Sequence, residues 1–198
     1  ELNFAIKSPT GSGKSLGLPL FFWKQELVAG KILVVQPRRI AAKSLARIAC
    51  RFCKCELGEE IGYRVRFDSR VSAKTKIIYL TDGMIFRFLQ KPANLKEVDL
   101  IIFDEFHERS LFMDASLALA KSYHDCGKIN SRIVVTSATL ELEKISNFLG
   151  AKFGLEVNTK SFPVEIHYKA INSKQTLPAQ VCDNLKALLS SHQGAVLI

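Results

Sequence analysis

Between Ser8 and Ser15 the chain reads Ser-Pro-Thr-Gly-Ser-Gly-Lys-Ser, after the short apolar run Phe4-Ala5-Ile6 and before a segment with helical spacing. A strand that turns through glycines straight into a helix leaves a row of backbone N–H groups facing one concavity. The positive end of the helix dipole adds to their field, so the loop suits a polyphosphate. In that reading Ser8, Pro9, Thr10, Gly11, Ser12 and Gly13 form the cradle, Lys14 reaches the β- and γ-phosphates, and the Ser15 hydroxyl is a ligand for Mg²⁺. Ser8 stands where the strict pattern has its first glycine, while Gly11 to Ser15 is intact. Alone, such a stretch also fits, less well, an ordinary glycine turn with an exposed lysine, so the remaining sequence has to decide.

Four further apolar runs follow Phe4–Ile6, at Ile32–Val35, Ile77–Leu80, Leu100–Phe103 and Ile133–Val135, with helical segments between them. They are continuous rather than alternating, as expected for strands covered on both faces. Strands alternating with helices predict an α/β fold with a mostly parallel sheet and right-handed crossovers, whose ligands bind at the carboxyl ends of the strands. Each run ends in polar residues: the glycine loop, Gln36-Pro37-Arg38-Arg39, Thr81-Asp82-Gly83, Asp104-Glu105-Phe106-His107 and Thr136-Ser137-Ala138-Thr139. The expected sheet gathers them on one edge.

With 198 residues, 47% of them hydrophobic, there is enough chain for one well-filled domain and a fragment of a second. No apolar run is long enough to span a bilayer and no secretory signal is visible. The chain opens on Glu1 rather than methionine, so trimming is expected. The net charge is +9, and the stretch from Arg38 to Lys76 holds eleven Lys/Arg against four Asp/Glu, most of the imbalance. Such clustering points to a polyanionic partner or to a solvated basic face. The five cysteines (Cys50, Cys53, Cys55, Cys126 and Cys182) are odd in number and irregular in spacing. A disulfide framework is not expected, and a reducing, cytoplasmic setting is. The Cys50–Cys55 cluster has no second pair or nearby histidine to complete a tetrahedral site, so no zinc is expected.

After Pro37, Ala41, Leu45, Ile48 and Phe52 recur at helical spacing and predict an apolar face, with Arg39, Lys43, Arg47 and Arg51 on another. Arg47 and Arg51 read as solvated, whereas Arg38 and Arg39, at a strand's end, are weighted towards phosphate contact. Asp104 and Glu105 follow an apolar run, and burying adjacent carboxylates is costly without compensating cations or donors. If their strand lies beside the one feeding the glycine loop, Asp104 shares the Mg²⁺ with Ser15, and Glu105 orients or deprotonates the attacking water. His107 either links this site to the rest of the fold or is a hydrogen-bonded structural histidine. The hydroxyls of Ser137 and Thr139 either bridge to His107 or Glu105 or cap the next helix.

With these residues in place, the chain resembles the first RecA-like domain of a superfamily 2 nucleic-acid helicase of the DEAH type. Ser8–Ser15 is similar to motif I, Gln36–Arg39 with Ile40-Ala41-Ala42 to motif Ia, and Thr81-Asp82-Gly83-Met84 to motif Ib. Asp104–Ser110 is similar to motif II and Ser137-Ala138-Thr139 to motif III. Gly62–Arg66 resembles the segment between Ia and Ib, and Ser161-Phe162-Pro163-Val164-Glu165 the passage between two RecA-like domains. That passage and Phe106 within motif II are most similar to the bacterial HrpB group.

The resemblance implies a RecA-like P-loop NTPase domain over residues 1–160, a linker over 161–173 and the truncated start of a second RecA-like domain over 174–198. It implies ATP and Mg²⁺ as cofactors, with Glu105, Lys14 and His107 catalytic, and Ser137 and Thr139 coupling nucleotide state to domain movement. Pro37, Arg38, Arg39, Thr81, Asp82 and Gly83 face a sugar–phosphate backbone, RNA in preference to DNA. The second RecA-like domain, a partner that supplies arginine fingers, is expected to be missing beyond a helix near Leu177–Ser191 and a strand at Gly194–Ile198. Hydrolysis by this chain alone is therefore expected to be nearly absent, an arginine finger being worth about 10³–10⁵ in rate. A nonmotor module that binds nucleic acid or protein remains the alternative. A small-metabolite P-loop kinase leaves Ser137-Ala138-Thr139 and the basic surplus unexplained.

Overall fold

The computed structural model describes residues 3–139, 141–152, 154–158, 166–171, 173 and 175–191. The chain divides into two compact units, Glu1–Ser161 and Phe162–Ile198. In the first, β1 (Phe4–Lys7) leads through the glycine loop into α1 (Lys14–Lys24), followed by β2 (Lys31–Gln36) and α2 (Arg39–Cys53). A hairpin of β3 (Ile61–Val65) and β4 (Asp68–Arg70) precedes β5 (Ile77–Thr81) and α3 (Asp82–Leu89). Then come β6 (Val98–Phe103), α4 (Leu111–Asp125), β7 (Arg132–Ser137), α5 (Leu142–Leu149) and β8 (Gly154–Glu156). In the second unit α6 spans Leu177–Ser191, the helix expected there, and Lys169 Nζ donates to Asn184 Oδ1 at 2.7 Å. The expected passage Ser161–Glu165 and the expected strand Gly194–Ile198 lie outside the described residues.

The strands form one sheet of order β4-β3-β5-β2-β6-β7-β1-β8, parallel except where β4 returns against β3. All five predicted runs are strands, and their alternation divides the core between the two faces. Leu33, Val35, Leu80, Ile101, Phe103 and Val135 point to one side and meet α3 and α4 through Ile85, Leu89, Met113 and Leu117. Ile32, Val34, Ile77, Tyr79, Leu100 and Ile102 point to the other and meet Phe22 of α1 and Ala42, Ala46 and Ala49 of α2. Helices on both faces explain why these strands read as unbroken apolar runs. The fold is therefore the expected α/β architecture, a RecA-like domain with helices on both faces of a mostly parallel sheet.

Two expectations need correction. The inward face of α2 is Ala42, Ala46, Ala49 and Cys50, all buried, whereas Ile48 and Phe52 are exposed and Ile40 is 80% exposed. The helix lies against β3 and β5, and the small side chains let it sit close to the sheet, a preference that ranking by hydrophobic size reverses. Nor is β6 the neighbour of β1. β7 lies between them, pairing with β1 from Phe4↔Val134 to Lys7↔Ser137 and with β6 from Leu100↔Arg132 to Phe103↔Val135.

The start of α4 is tied to α3. Ser110 Oγ accepts the Met113 N–H at 3.0 Å as the helix cap and donates to Asp82 Oδ2 at 2.5 Å. Ser110→Ala should lower stability by about 1 kcal/mol, or about 2–4 °C in Tm for a domain of this size. Ser110→Thr should keep most of it, as thermal melts will show.

Candidate active site

Because the strands are parallel, their carboxyl ends share one edge, where the polar segments gather. The glycine loop leaves β1 with Gly11 at φ 77° and Gly13 at φ 80°, a left-handed backbone that glycine adopts without strain. Thr10 and Gly11 form its exposed crest and Pro9 is half-buried. Ser8 is buried: its N–H donates to the Ser137 carbonyl at 2.9 Å, and its hydroxyl donates to Ser12 Oγ at 2.6 Å. The residue replacing the first glycine thus braces the loop from inside. Lys14 and Ser15 open α1, and the Lys14 side chain is 7% exposed.

At the end of β6, Asp104 is fully buried. Its Oδ2 accepts Gln36 Nε2–H at 2.6 Å, and its Oδ1 accepts the Thr136 hydroxyl and the Glu105 N–H, the latter at 2.9 Å. All three donors are neutral. Three neutral donors leave spare lone pairs on this buried carboxyl group, which suits a hard divalent cation with oxygen ligands. Glu105 sits at φ 51°, ψ 41°, a left-handed conformation unusual for a side-chain-bearing residue, and this turns the chain out of β6. Its Oε1 lies 3.0 Å from Lys14 Nζ. His107 Nδ1 lies 3.4 Å from Glu105 Oε2, but without the alignment of a hydrogen bond. The glycine loop and the paired acids therefore converge across the intervening strand β7. Gly13, Lys14, Glu105 and Asp104 form a cradle of N–H groups, one ammonium and two carboxylates, a donor set fit for a metal-bound triphosphate.

Ser137 and Thr139 flank the same edge. Ser137 is buried and its Oγ accepts the Thr139 N–H at 3.3 Å, a local turn. The cap position of α5 is Glu141, so neither hydroxyl is the helix cap considered from the sequence. Thr139 instead lines a cavity of about 230 Å³ with Phe106, His107, Arg109 and Lys144. Arg109 is held by a bidentate pair with Asp114 at 2.8 Å, which raises its already high pKa.

Five of the six residues expected to face a nucleic-acid backbone line one larger cavity of about 430 Å³: Pro37, Arg39, Thr81, Asp82 and Gly83. Arg38 does not. Its Nε donates to Glu108 Oε2 at 3.0 Å, tying the end of β2 to the segment after the acids. The cavity also takes in Arg66, Arg87 and Phe112, which the sequence did not single out. Arg66 precedes the β3–β4 turn, where Phe67 is 90% exposed at φ 64° with the Arg66 guanidinium over its ring at 4.7 Å. The available signal was the Arg-Val-Arg run of the Gly62–Arg66 block. The partners of Asp104 carried none, because sheet order brings Gln36 and Thr136 to it. The five cysteines are free thiols, and burial, then Cys55 beside it, pushes the Cys50 thiol up to about 12.

The DEAD/DEAH box helicase model matches residues 1–148. The probable ATP-dependent RNA helicase DHR2 of Saccharomyces cerevisiae is 41% identical over 80% of this chain and 22% of its own length. The ATP-dependent RNA helicase HrpB of Escherichia coli is 32% identical over 98% of this chain and 24% of its own length. The crystal structure of that HrpB superposes with a TM-score of 0.86 at 31% identity, over 98% of this chain and 25% of the other. The chain thus spans about a fifth to a quarter of these relatives. No helix among the described residues is long and apolar enough to cross a membrane. Together with the glycine loop and acids meeting on one sheet edge, these likenesses establish that the chain belongs to the DEAD/DEAH box helicase family.

Proposed function

We propose that the chain is the nucleotide-binding RecA-like domain of a cytoplasmic, DEAH-type ATP-dependent RNA helicase, working with a second RecA-like domain that begins within residues 174–198. The Lys14–Glu105 contact of 3.0 Å, spanning β7, carries this reading. In it, the backbone of Ser8–Gly13 and the Lys14 ammonium bind the triphosphate, and Ser15 and Asp104 hold Mg²⁺. The bound ion supplies charge neutralisation at the phosphates and orientation of the terminal phosphoryl group. Glu105 releases Lys14 to the phosphates and takes the proton of the attacking water. His107 and Thr139, which line the 230 Å³ cavity, and the buried Ser137 relay the state of this site to the second domain. Without that domain's arginines, hydrolysis by the chain alone is slow.

Pro37, Arg39, Thr81, Asp82 and Gly83 form the floor of the RNA cavity, with Arg66 and Arg87 as its added cations. Arg38 reaches a phosphate once Glu108 releases it. Contacts of this kind position a strand without reading its bases. The test is binding of single-stranded RNA as salt is varied. Affinity should fall steeply and independently of sequence, and each of Arg39→Ala and Arg66→Ala should flatten the log–log slope by about 0.7. Slopes unchanged in both variants would remove RNA from this cavity. Loss of Mg²⁺–ATP binding in Lys14→Ala tests the nucleotide half.

A further inference from the structure

Helix α1 contains a proline, Pro19, at its sixth residue, and its ring is buried. Proline has no N–H, and in a helix the missing bond is the one to the carbonyl four residues earlier. Here that carbonyl belongs to Ser15, the residue read above as a metal ligand. The hydroxyl of Tyr79 reaches it instead: Tyr79 Oη donates to the Ser15 oxygen at 3.2 Å. Tyr79 is fully buried in the middle of β5, two residues before Thr81, and faces α1 and α2. Burial first, and then the charge of Asp104, raises its pKa, so the phenol keeps its proton and remains a donor. A buried phenol finds a partner when one is within reach, and a half-buried carbonyl stripped of its helical donor gains from one. The two deficits meet.

We propose that Tyr79 is a positioning residue for Ser15. By supplying the bond that Pro19 removes, it fixes the first turn of α1 and aims the Ser15 hydroxyl at the metal. This rests on the assignment of Ser15 as a ligand of Mg²⁺. The same strand ends in Thr81, on the wall of the 430 Å³ cavity, so one rigid element carries both the support of Ser15 and part of that wall. In the Tyr79→Phe variant the ring stays and the donor goes. In Pro19→Ala a backbone N–H returns at the one position that can take over.

The experiment is a Mg²⁺ titration of binding of a fluorescent, nonhydrolysable ATP analogue to four proteins: wild type, Tyr79→Phe, Pro19→Ala and the double variant. Thermal melts and analogue binding in EDTA report whether each keeps its fold and its phosphate loop. Tyr79→Phe should need about tenfold more Mg²⁺ with binding in EDTA unchanged, in line with other residues that support metal ligands. Pro19→Ala alone should bind as wild type, and adding it to Tyr79→Phe should restore the wild-type Mg²⁺ requirement. A merely structural tyrosine would lower Tm without this rescue. If Tyr79→Phe titrates like wild type, or the double variant stays as weak as Tyr79→Phe, the proposal is overturned. Ser15→Ala separates the two levels. A shifted Mg²⁺ requirement there with none in Tyr79→Phe overturns the role of Tyr79 alone, whereas no shift in Ser15→Ala overturns the ligand assignment beneath it.

Discussion

Replacing Glu105 with glutamine is expected to lower ATP turnover by about 10²–10⁴-fold, the usual contribution of a positioned general base, while nucleotide binding survives or tightens. Glutamine keeps the shape of the side chain and its reach to Lys14. It cannot accept a proton from water, and it no longer holds the ammonium in an ion pair of 3.0 Å. Lys14 is then freed for the phosphates, which is why binding should not fall. The measurement is RNA-stimulated steady-state hydrolysis, with nucleotide affinity alongside, in a protein that joins this domain to a second RecA-like domain. A nonmotor binding module would lose nothing measurable, and that result would sink the motor reading.

The second large effect is expected at Gly62, for reasons of space rather than chemistry. A Cβ placed there would stand 2.1 Å from the Arg70 carbonyl oxygen and 3.0 Å from Val71 Cγ1. The first of these is backbone of the partner strand, which cannot swing aside like a flexible side chain. Gly62→Ala must therefore push β4 away from β3, at a cost of about 3 kcal/mol, or roughly 6–12 °C in Tm. The hairpin also carries Arg66 into the 430 Å³ cavity proposed to take RNA, so RNA affinity should drop with stability while Mg²⁺–ATP binding, set on other strands, holds. Chemical denaturation and the two binding measurements check this. An alanine variant as stable as wild type would mean that the strands have room to spare.

Much of the fold was legible because its central strands are buried on both faces. Ile32–Val35, Ile77–Leu80 and Leu100–Phe103 have no polar interruption, and the helices between them leave little choice of architecture. The outer strands were not legible. β4 and β8 are three-residue edge strands with mostly exposed residues, as at Ser69, Arg70 and Glu156, while β3, buried except at Arg64, has its apolar run broken by Gly62 and that arginine. The phase of α2 was misread for a related reason: close packing favours Ala42, Ala46 and Ala49 over the larger Ile48 and Phe52.

The candidate site divides in the same way. The cradle and the acids are contiguous in sequence, so their chemistry can be read from a few letters. Gln36 and Thr136 on Asp104, Glu108 on Arg38 and Tyr79 on Ser15 are contacts between strands, or between strand and helix, far apart in the chain. They exist because of sheet order, which local pattern does not encode.

That order has one last implication. With β7 as spacer, the cradle and the acids stand two ladder widths apart, about 10 Å, a gauge set by main-chain hydrogen bonding and indifferent to surface drift. The long Lys14 side chain closes that gap, its Nζ reaching Glu105 Oε1 at 3.0 Å. Any displacement of β7 along its own axis moves Ser137 under the loop and Thr136 under Asp104 in the same stroke. The two halves of the candidate site are thereby geared to a single shaft.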